Sequence, residues 1–259
     1  MPGLTKRRIL ITSRQAEEEA AGGWPTLSVT SGLIGRWRAN AGVTLSGSDV
    51  TAVADQSGSG NNLVNDGTVP YNATGFNGKP SFDFAVGNDA ALFCDPFPFG
   101  AIDDLTVVAI AQMDSATAGF GGLVVYGDGA GNDYNTSGYG AWLGRDDTNN
   151  AVNTTSFDAL PTITSMTANA PHVIVFRKEG GVDRSHWIDG VEGTPVAPGA
   201  NTLITNGVLA IGNRYLSGAV GGAAWDGQVG EVLVYNRDLS DVEIGTIQTY
   251  AEHVDGWAL

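Results

Sequence analysis

The sequence has a single cysteine, Cys94, among 259 residues. One thiol cannot close an internal disulfide, so the fold does not depend on one and nothing points to an oxidising compartment. Basic residues are scarce too. Thirteen Lys and Arg stand against 28 Asp and Glu, a formal charge of −15. Phosphate contacts need clustered cations, so a nucleic-acid partner is not expected. No apolar run approaches the ~20 residues of a membrane-spanning helix, so no membrane partner is expected either. The N-terminus does not read as a secretory leader. Lys6-Arg7-Arg8 suits a charged start, but Ile9-Leu10-Ile11 gives way to Thr12-Ser13-Arg14 before a leader core of ~7 apolar residues can form.

Catalytic constellations are missing as well. There is no Walker loop, and no G-x-G-x-x-G between a strand and a helix. His172, His186 and His253 stand singly, without metal-ligand spacing. His172 and His186 fall on one expected hairpin, but not opposite each other. Cys94 lacks a base partner and reads as a buried apolar thiol. Glycoside cleavage needs two carboxylates about 5–9 Å apart, which on one strand means acids at i and i+2 or i+4. Glu231 has Val229 and Leu233 as its expected same-face neighbours, and Asp83 stands isolated between Phe82 and Phe84. No catalytic residue is assigned on these grounds, and a non-enzymatic protein is expected.

What is abundant is glycine, 37 residues with 10 proline, while only 16% of residues are charged. That composition reads as many short strands joined by turns. A single domain of this length buries roughly three quarters of its unfolded surface and needs no metal staple. Residues 1–23 differ from the rest. Lys6, Arg7, Arg8 and Arg14 oppose Glu17, Glu18 and Glu19, so this arm is +1 and the remainder −16. Gly22-Gly23-Trp24-Pro25 then breaks the chain. The arm is either disordered or a docking segment that orders on a partner through those four cations. Residues 24–259 read as one β-body.

Within that body, strands are expected at Leu33–Arg38, Val50–Ala54, Leu105–Met113, Leu123–Tyr126, Gly140–Leu143 and Val208–Gly212. His172–Lys178 and Arg184–Ile188 form an expected hairpin, with Asp189-Gly190 a second tight turn. Val229–Tyr235 carries apolar residues on both faces, so it is a strand covered on both sides. Ser240 with Glu243 makes a capping box, and Leu239 with Ile244 a hydrophobic staple. Ile244, Ile247, Ala251 and Val254 then form one apolar stripe of a closing helix, with Gly256 as its stop.

The run Gly227-x-x-Gly230-Glu231-Val-Leu-Val-Tyr-Asn-Arg237-x-Leu239-Ser-Asp241-x-Glu243 resembles the C-terminal signature of laminin-G-like, concanavalin A-like jelly-roll domains, of the kind found in bacteriophage structural proteins. The Trp37 strand, the turn Asp55-x-Ser57-Gly-x-Gly60-Asn61 and Asn77-Gly-Lys-Pro80 before Ser81-Phe-Asp-Phe84 are similar too. The resemblance covers about Leu33–Leu259 and is weak between Ala116 and Ala170. It implies an all-β jelly-roll sandwich with one C-terminal helix behind an extended N-terminal arm. It also implies structural roles for Glu231 and Trp225. Many such domains bind calcium at a sandwich rim, and here the acidic loop with Asp128 and Asp133 either supplies oxygens for it or forms a solvated turn. No other cofactor is expected. For a glycan, the best cluster of aromatic and amide side chains is Asp133, Tyr134, Asn135, Tyr139 and Trp142, the last reading also as a core residue of its strand.

The reading that explains most is a structural or adhesion protein of a virion, such as a bacteriophage head-decoration, fibre or tail component. Its partners would be capsid or tail proteins, with a cell-surface glycan as a further one, and its copies would form a homo-oligomer at the virion surface after synthesis in the host cytoplasm. A carbohydrate-binding lectin-like module, extracellular by another route, is the second reading. A glycan-cleaving enzyme is the third.

Overall fold

The computed structural model describes residues 27–75, 78–85, 87–99, 104–114, 121–131, 141–145, 152–155, 166–180, 183–196 and 206–255. In chain order the strands are β1 (Leu33–Arg38), β2 (Val43–Ser46), β3 (Asp49–Val53), β4 (Leu63–Asp66), β5 (Tyr71–Asn72), β6 (Ser81–Phe84), β7 (Ala91–Phe97), β8 (Leu105–Met113) and β9 (Gly121–Gly127). There follow β10 (Ala141–Arg145), β11 (Val152–Thr155), β12 (Pro171–Glu179), β13 (Asp183–Ile188), β14 (Val191–Glu192), β15 (Gly207–Ile211), β16 (Tyr215–Leu216), β17 (Ala219–Val220) and β18 (Gly227–Tyr235). One helix, α1 (Asp241–Asp255), closes the described chain. None of the described helix is long and apolar enough to cross a membrane.

Two eight-stranded sheets form an all-β sandwich of the jelly-roll kind. The first runs β14-β13-β12-β8-β18-β6-β5, with β1 also on β18; the second runs β11-β10-β9-β15-β7-β4-β3-β2. β18 pairs with β8 along its length, while its other edge meets β6 at Gly227–Val229 and β1 from Glu231 onward. The register slips between Val229 and Glu231, a bulge at the point where β6 hands over to β1.

Between the sheets lies the larger core. Trp37, Leu63, Phe82, Phe97, Val107, Tyr126, Phe176, Leu209, Trp225 and Val232 are among its members. Phe97, Phe99 and Tyr126 meet edge to face, with Phe97–Phe99 centroids 4.8 Å apart and Phe99–Tyr126 4.5 Å. Trp225 is fully buried, as its assignment to structure requires, and its indole donates to the Gln112 carbonyl at 3.2 Å. Cys94 is buried too, and desolvation pushes its thiol up to about 11.

The first sheet is apolar on its outer face as well. Val108 and Ile110 of β8, Val173 and Val175 of β12, and Leu233 and Tyr235 of β18 pack under Leu239, Ile244, Ile247, Tyr250 and Ala251. Leu27 and Val29 join the same cluster. The two-sided apolar pattern of β8 and β18 therefore has a simple cause: one face meets the second sheet and the other meets α1.

The helix begins as its sequence dictates. Ser240 N donates to Glu243 Oε2 at 3.0 Å, and Glu243 N donates back to Ser240 Oγ at 3.4 Å. Arg237 clamps the same carboxylate from both nitrogens, at 2.6 and 3.0 Å. Thr106 of β8 fixes the approach, donating to Arg237 O at 3.0 Å and accepting from Leu239 N at 2.9 Å. The β12–β13 hairpin and the Asp189-Gly190 turn also form as expected, both turn residues holding positive φ of 52° and 75°. His186 stands opposite Phe176, not His172.

Arg237, then the Ser240 backbone, hold the Glu243 carboxyl down to about 2. A depressed carboxyl stabilises the fold fully above its unfolded value of ~4.3, and that contribution fades as pH falls toward about 2. Because the carboxylate is partly exposed, solvent screening keeps the effect small. Acid titration followed by circular dichroism should therefore show a stability loss between pH ~4.3 and 2 that is slightly smaller in Glu243→Gln. Ser240→Ala should cost about 1 kcal/mol in urea unfolding at pH 7.

Candidate functional site

The acid a hydrolase would draw on in the last strand is Glu231, and it faces the helix. Because of the bulge, Glu231 shares its face with Leu233 but not with Val229, whose side chain joins the inter-sheet core. The expected Val229 neighbour is thus corrected by one extra residue in the strand. Glu231 is only 4% exposed. Its Oε1 accepts from Arg36 Nε at 2.8 Å and lies 3.7 Å from Arg38 Nε. The Tyr250 hydroxyl donates to Glu231 Oε2 at 2.9 Å and accepts from Arg36 Nη2 at 2.7 Å. Burial disfavours the Arg36 charge, but Glu231 and then Tyr250 more than offset this and raise its pKa. Burial, then the Glu231 charge, raises the Tyr250 hydroxyl. This group ties β1, β18 and α1 together.

Asp83 is not isolated, as its sequence context suggests. Burial, then the charges of Asp114 and Asp226, raise its carboxyl. Asp114 N donates to Asp226 O at 2.9 Å, so the end of β8 and the approach to β18 bring these acids near β6. Sequence spacing concealed this because the three residues come from three separate segments. The predicted turn at Asp55 uses its carboxylate internally. Oδ1 accepts from Arg36 N and Ser57 N, and Oδ2 from Ser57 Oγ and Asn61 N, at 2.8–3.0 Å. Asn61 in turn accepts the Trp37 indole N–H at 2.7 Å.

Of the proposed rim site, Asp128 is described. Its Oδ1 accepts from Ala130 N at 2.8 Å and Gly131 N at 3.1 Å, closing a turn on its own backbone. Among the described residues no three acidic, His or Cys side chains converge to hold a metal. Asp133, Tyr134, Asn135 and Tyr139 lie outside the described residues, as do Lys6, Arg7, Arg8 and Arg14. Trp142 is placed in β10 opposite Val125, by its backbone alone.

A different surface emerges on the second sheet. Leu92 and Cys94 face the core, so Phe93 faces outward, and Val64 stands beside it on β4. Tyr215 of β16 lies on Phe93, ring centroids 4.6 Å apart and planes 18° from parallel. Val64 remains 46% exposed. Asp66 follows Val64 on this same outer face, and Asp95 is exposed two residues after Phe93, where β7 breaks its alternation before the buried Phe97. Burial, then the charges of Asp66 and Asp95, raise the Tyr215 hydroxyl. The β16–β17 turn is anchored on the Asp128 loop, with Gly218 N donating to Gly129 O at 3.0 Å. Sequence reading missed this group. Its one local signal was the unbroken apolar run Leu92-Phe93-Cys94, which puts an apolar side chain on both faces of the strand.

No family model matches the chain, and no curated protein does. Solved structures do match. Trypanosoma rangeli sialidase in complex with sialic acid aligns at TM-score 0.59 and 19% identity, over 90% of this chain and 34% of that one. Domain 4 of an extracellular arabinanase from Geobacillus stearothermophilus, in complex with arabinotriose, aligns at 0.58 and 15%, over 85% and 98%. The binding domain of botulinum neurotoxin DC, in complex with rat synaptotagmin II, aligns at 0.61 and 11%, over 86% and 52%. The chain thus spans about a third of the sialidase's length. What is shared at these identities is the β-sandwich fold.

Removing one partner from a buried charged group leaves the others uncompensated, at a cost of about 3–5 kcal/mol. Glu231→Gln, which strands Arg36 and Arg38, should fall in that range by urea unfolding. Tyr250→Phe should cost less, about 1–3 kcal/mol, since it removes only a hydroxyl.

Proposed function

We propose that this protein is a non-enzymatic recognition and adhesion module, a rigid sandwich that presents a ligand-binding surface. The observation that carries the reading is the closure of α1 over the centre of the first sheet. Its one strand-borne glutamate under α1 is held by Arg36, Arg38 and Tyr250, where it serves the fold and not a substrate. The arabinanase domain with arabinotriose bound supports recognition on this kind of sandwich, since nearly all of that domain aligns.

In its finer form the reading is a virion surface component, a bacteriophage head-decoration, fibre or tail protein. The +1 arm, through Lys6, Arg7, Arg8 and Arg14, docks on capsid or tail proteins, while the −16 body faces outward. Opposite charge in arm and body is what supports this division of labour. Full-length protein should co-sediment with the particles it decorates, and a chain lacking residues 1–23 should bind at least tenfold less. Equal co-sedimentation of both would overturn the docking role.

Asp83 supplies the one observation that favours a glycan-cleaving enzyme, because a raised carboxyl beside two others can act as a general acid. Incubation with arabinotriose and other oligosaccharides should release no new reducing ends. Release that Asp83→Asn abolishes would establish the enzyme in place of the module.

A further inference from the structure

The open group on the second sheet has the chemistry of a sugar platform. Phe93 and Tyr215 make a stacked aromatic pair on the outer face, and Val64 extends the apolar surface along β4. Asp66 flanks this surface on β4, and Asp95 follows Phe93 on β7. Diagonal neighbours across an antiparallel pair lie ~7–8 Å apart, so Asp66, paired with Ala91, stands within reach of an oligosaccharide lying on Phe93. Ring faces accept the C–H face of a pyranose or furanose, and carboxylates accept its hydroxyls in charge-assisted hydrogen bonds.

The charge selects among ligands. Two carboxylates beside the rings, on a chain of formal charge −15, repel a uronic or sialic acid. A cationic ligand would draw on the same acids, but on this open sheet face, with Val64 46% exposed, solvent keeps its attraction to the rings weak. We infer that the outer face of the second sheet, at Phe93, Tyr215, Val64, Asp66 and Asp95, binds a neutral oligosaccharide. The inference rests on the recognition-module reading and gives that module its ligand class and its site. It differs from the loop cluster around Asp133 to Trp142, which sequence alone suggested.

The local structure favours a preformed site. Tyr215 sits on a two-strand hairpin, β16–β17, whose turn is hydrogen-bonded to the Asp128 loop. The hairpin returns to the core through Trp225, whose N–H donates to Gly212 O at 2.9 Å. A ring held at both ends of its segment loses little freedom on binding, which is where weak sugar contacts gain most.

The test is isothermal titration of the full-length protein with neutral probes (cellohexaose, mannohexaose and arabinotriose), an anionic probe (hexagalacturonate) and a cationic one (hexalysine). At least one neutral probe should bind, and hexagalacturonate should not. Phe93→Ala and Tyr215→Ala should weaken that binding at least tenfold. Because truncated rings can disturb the fold, Asp66→Asn and Asp95→Asn serve as the second pair, each expected to weaken it about threefold or more with an unchanged melting temperature. Neutral binding left intact by all four variants would place the site elsewhere and overturn this inference, while the module reading stands. Binding of only the anionic or cationic probe would overturn the ligand class. Failure of every probe would overturn the inference outright, with particle co-sedimentation still deciding the module reading on its own.

Discussion

Glu231 lies under a helix with two arginines and a tyrosine around it, and the architecture depends on this buried charged group. An isolated carboxylate there would cost several kcal/mol in desolvation. Arg36 and Arg38 of β1 and the Tyr250 hydroxyl of α1 offset that cost, and they come from opposite ends of the chain. The group therefore joins the first strand to the last strand and the closing helix. A hydrophobic cluster of Leu233, Tyr235, Leu239, Ile244 and Ile247 contributes the bulk of the attraction around it. The polar group adds geometry, because Arg36 reaches Glu231 and Tyr250 in one register of β1 on β18.

From this closure follows the division of surfaces. The central strands of the first sheet, β8, β12 and β18, are buried on both faces, by the second sheet and by α1, so they carry little chemistry that a ligand could reach. The second sheet has no helix over it among the described residues. Its outer face is covered in part by the β16–β17 hairpin, with Val125 against Ala223, and elsewhere shows Val64, Phe93 and Tyr215. The site we propose for recognition lies on the sheet that the fold leaves open.

Much of the fold was legible in the sequence because its signals are local. Alternation and two-sided apolar runs marked β1, β8 and β18, and S-x-x-E marked the helix start. Asp55 and Asn61 marked the turn that holds Trp37. What stayed hidden involves non-local geometry. A bulge beside Gly230 changes which residues flank Glu231, and no residue type announces it. The acids around Asp83 and the pair Phe93–Tyr215 meet only once the sheets form, from segments far apart in the chain. The resemblance at the chain's end correctly implied the sandwich. It said little about the site, since one sandwich serves many ligands.

Native-state hydrogen exchange of the full-length protein tests the closure most directly. If the buried group locks α1 onto the first sheet, the α1 amides around Ile247 and Tyr250 should open only with the whole domain, at the same free energy as the β18 amides. Exchange in α1 through a local opening well below the global unfolding free energy, while β18 stays protected, would contradict it. The outer face of the first sheet would then be accessible, and its assignment to structure alone would fall.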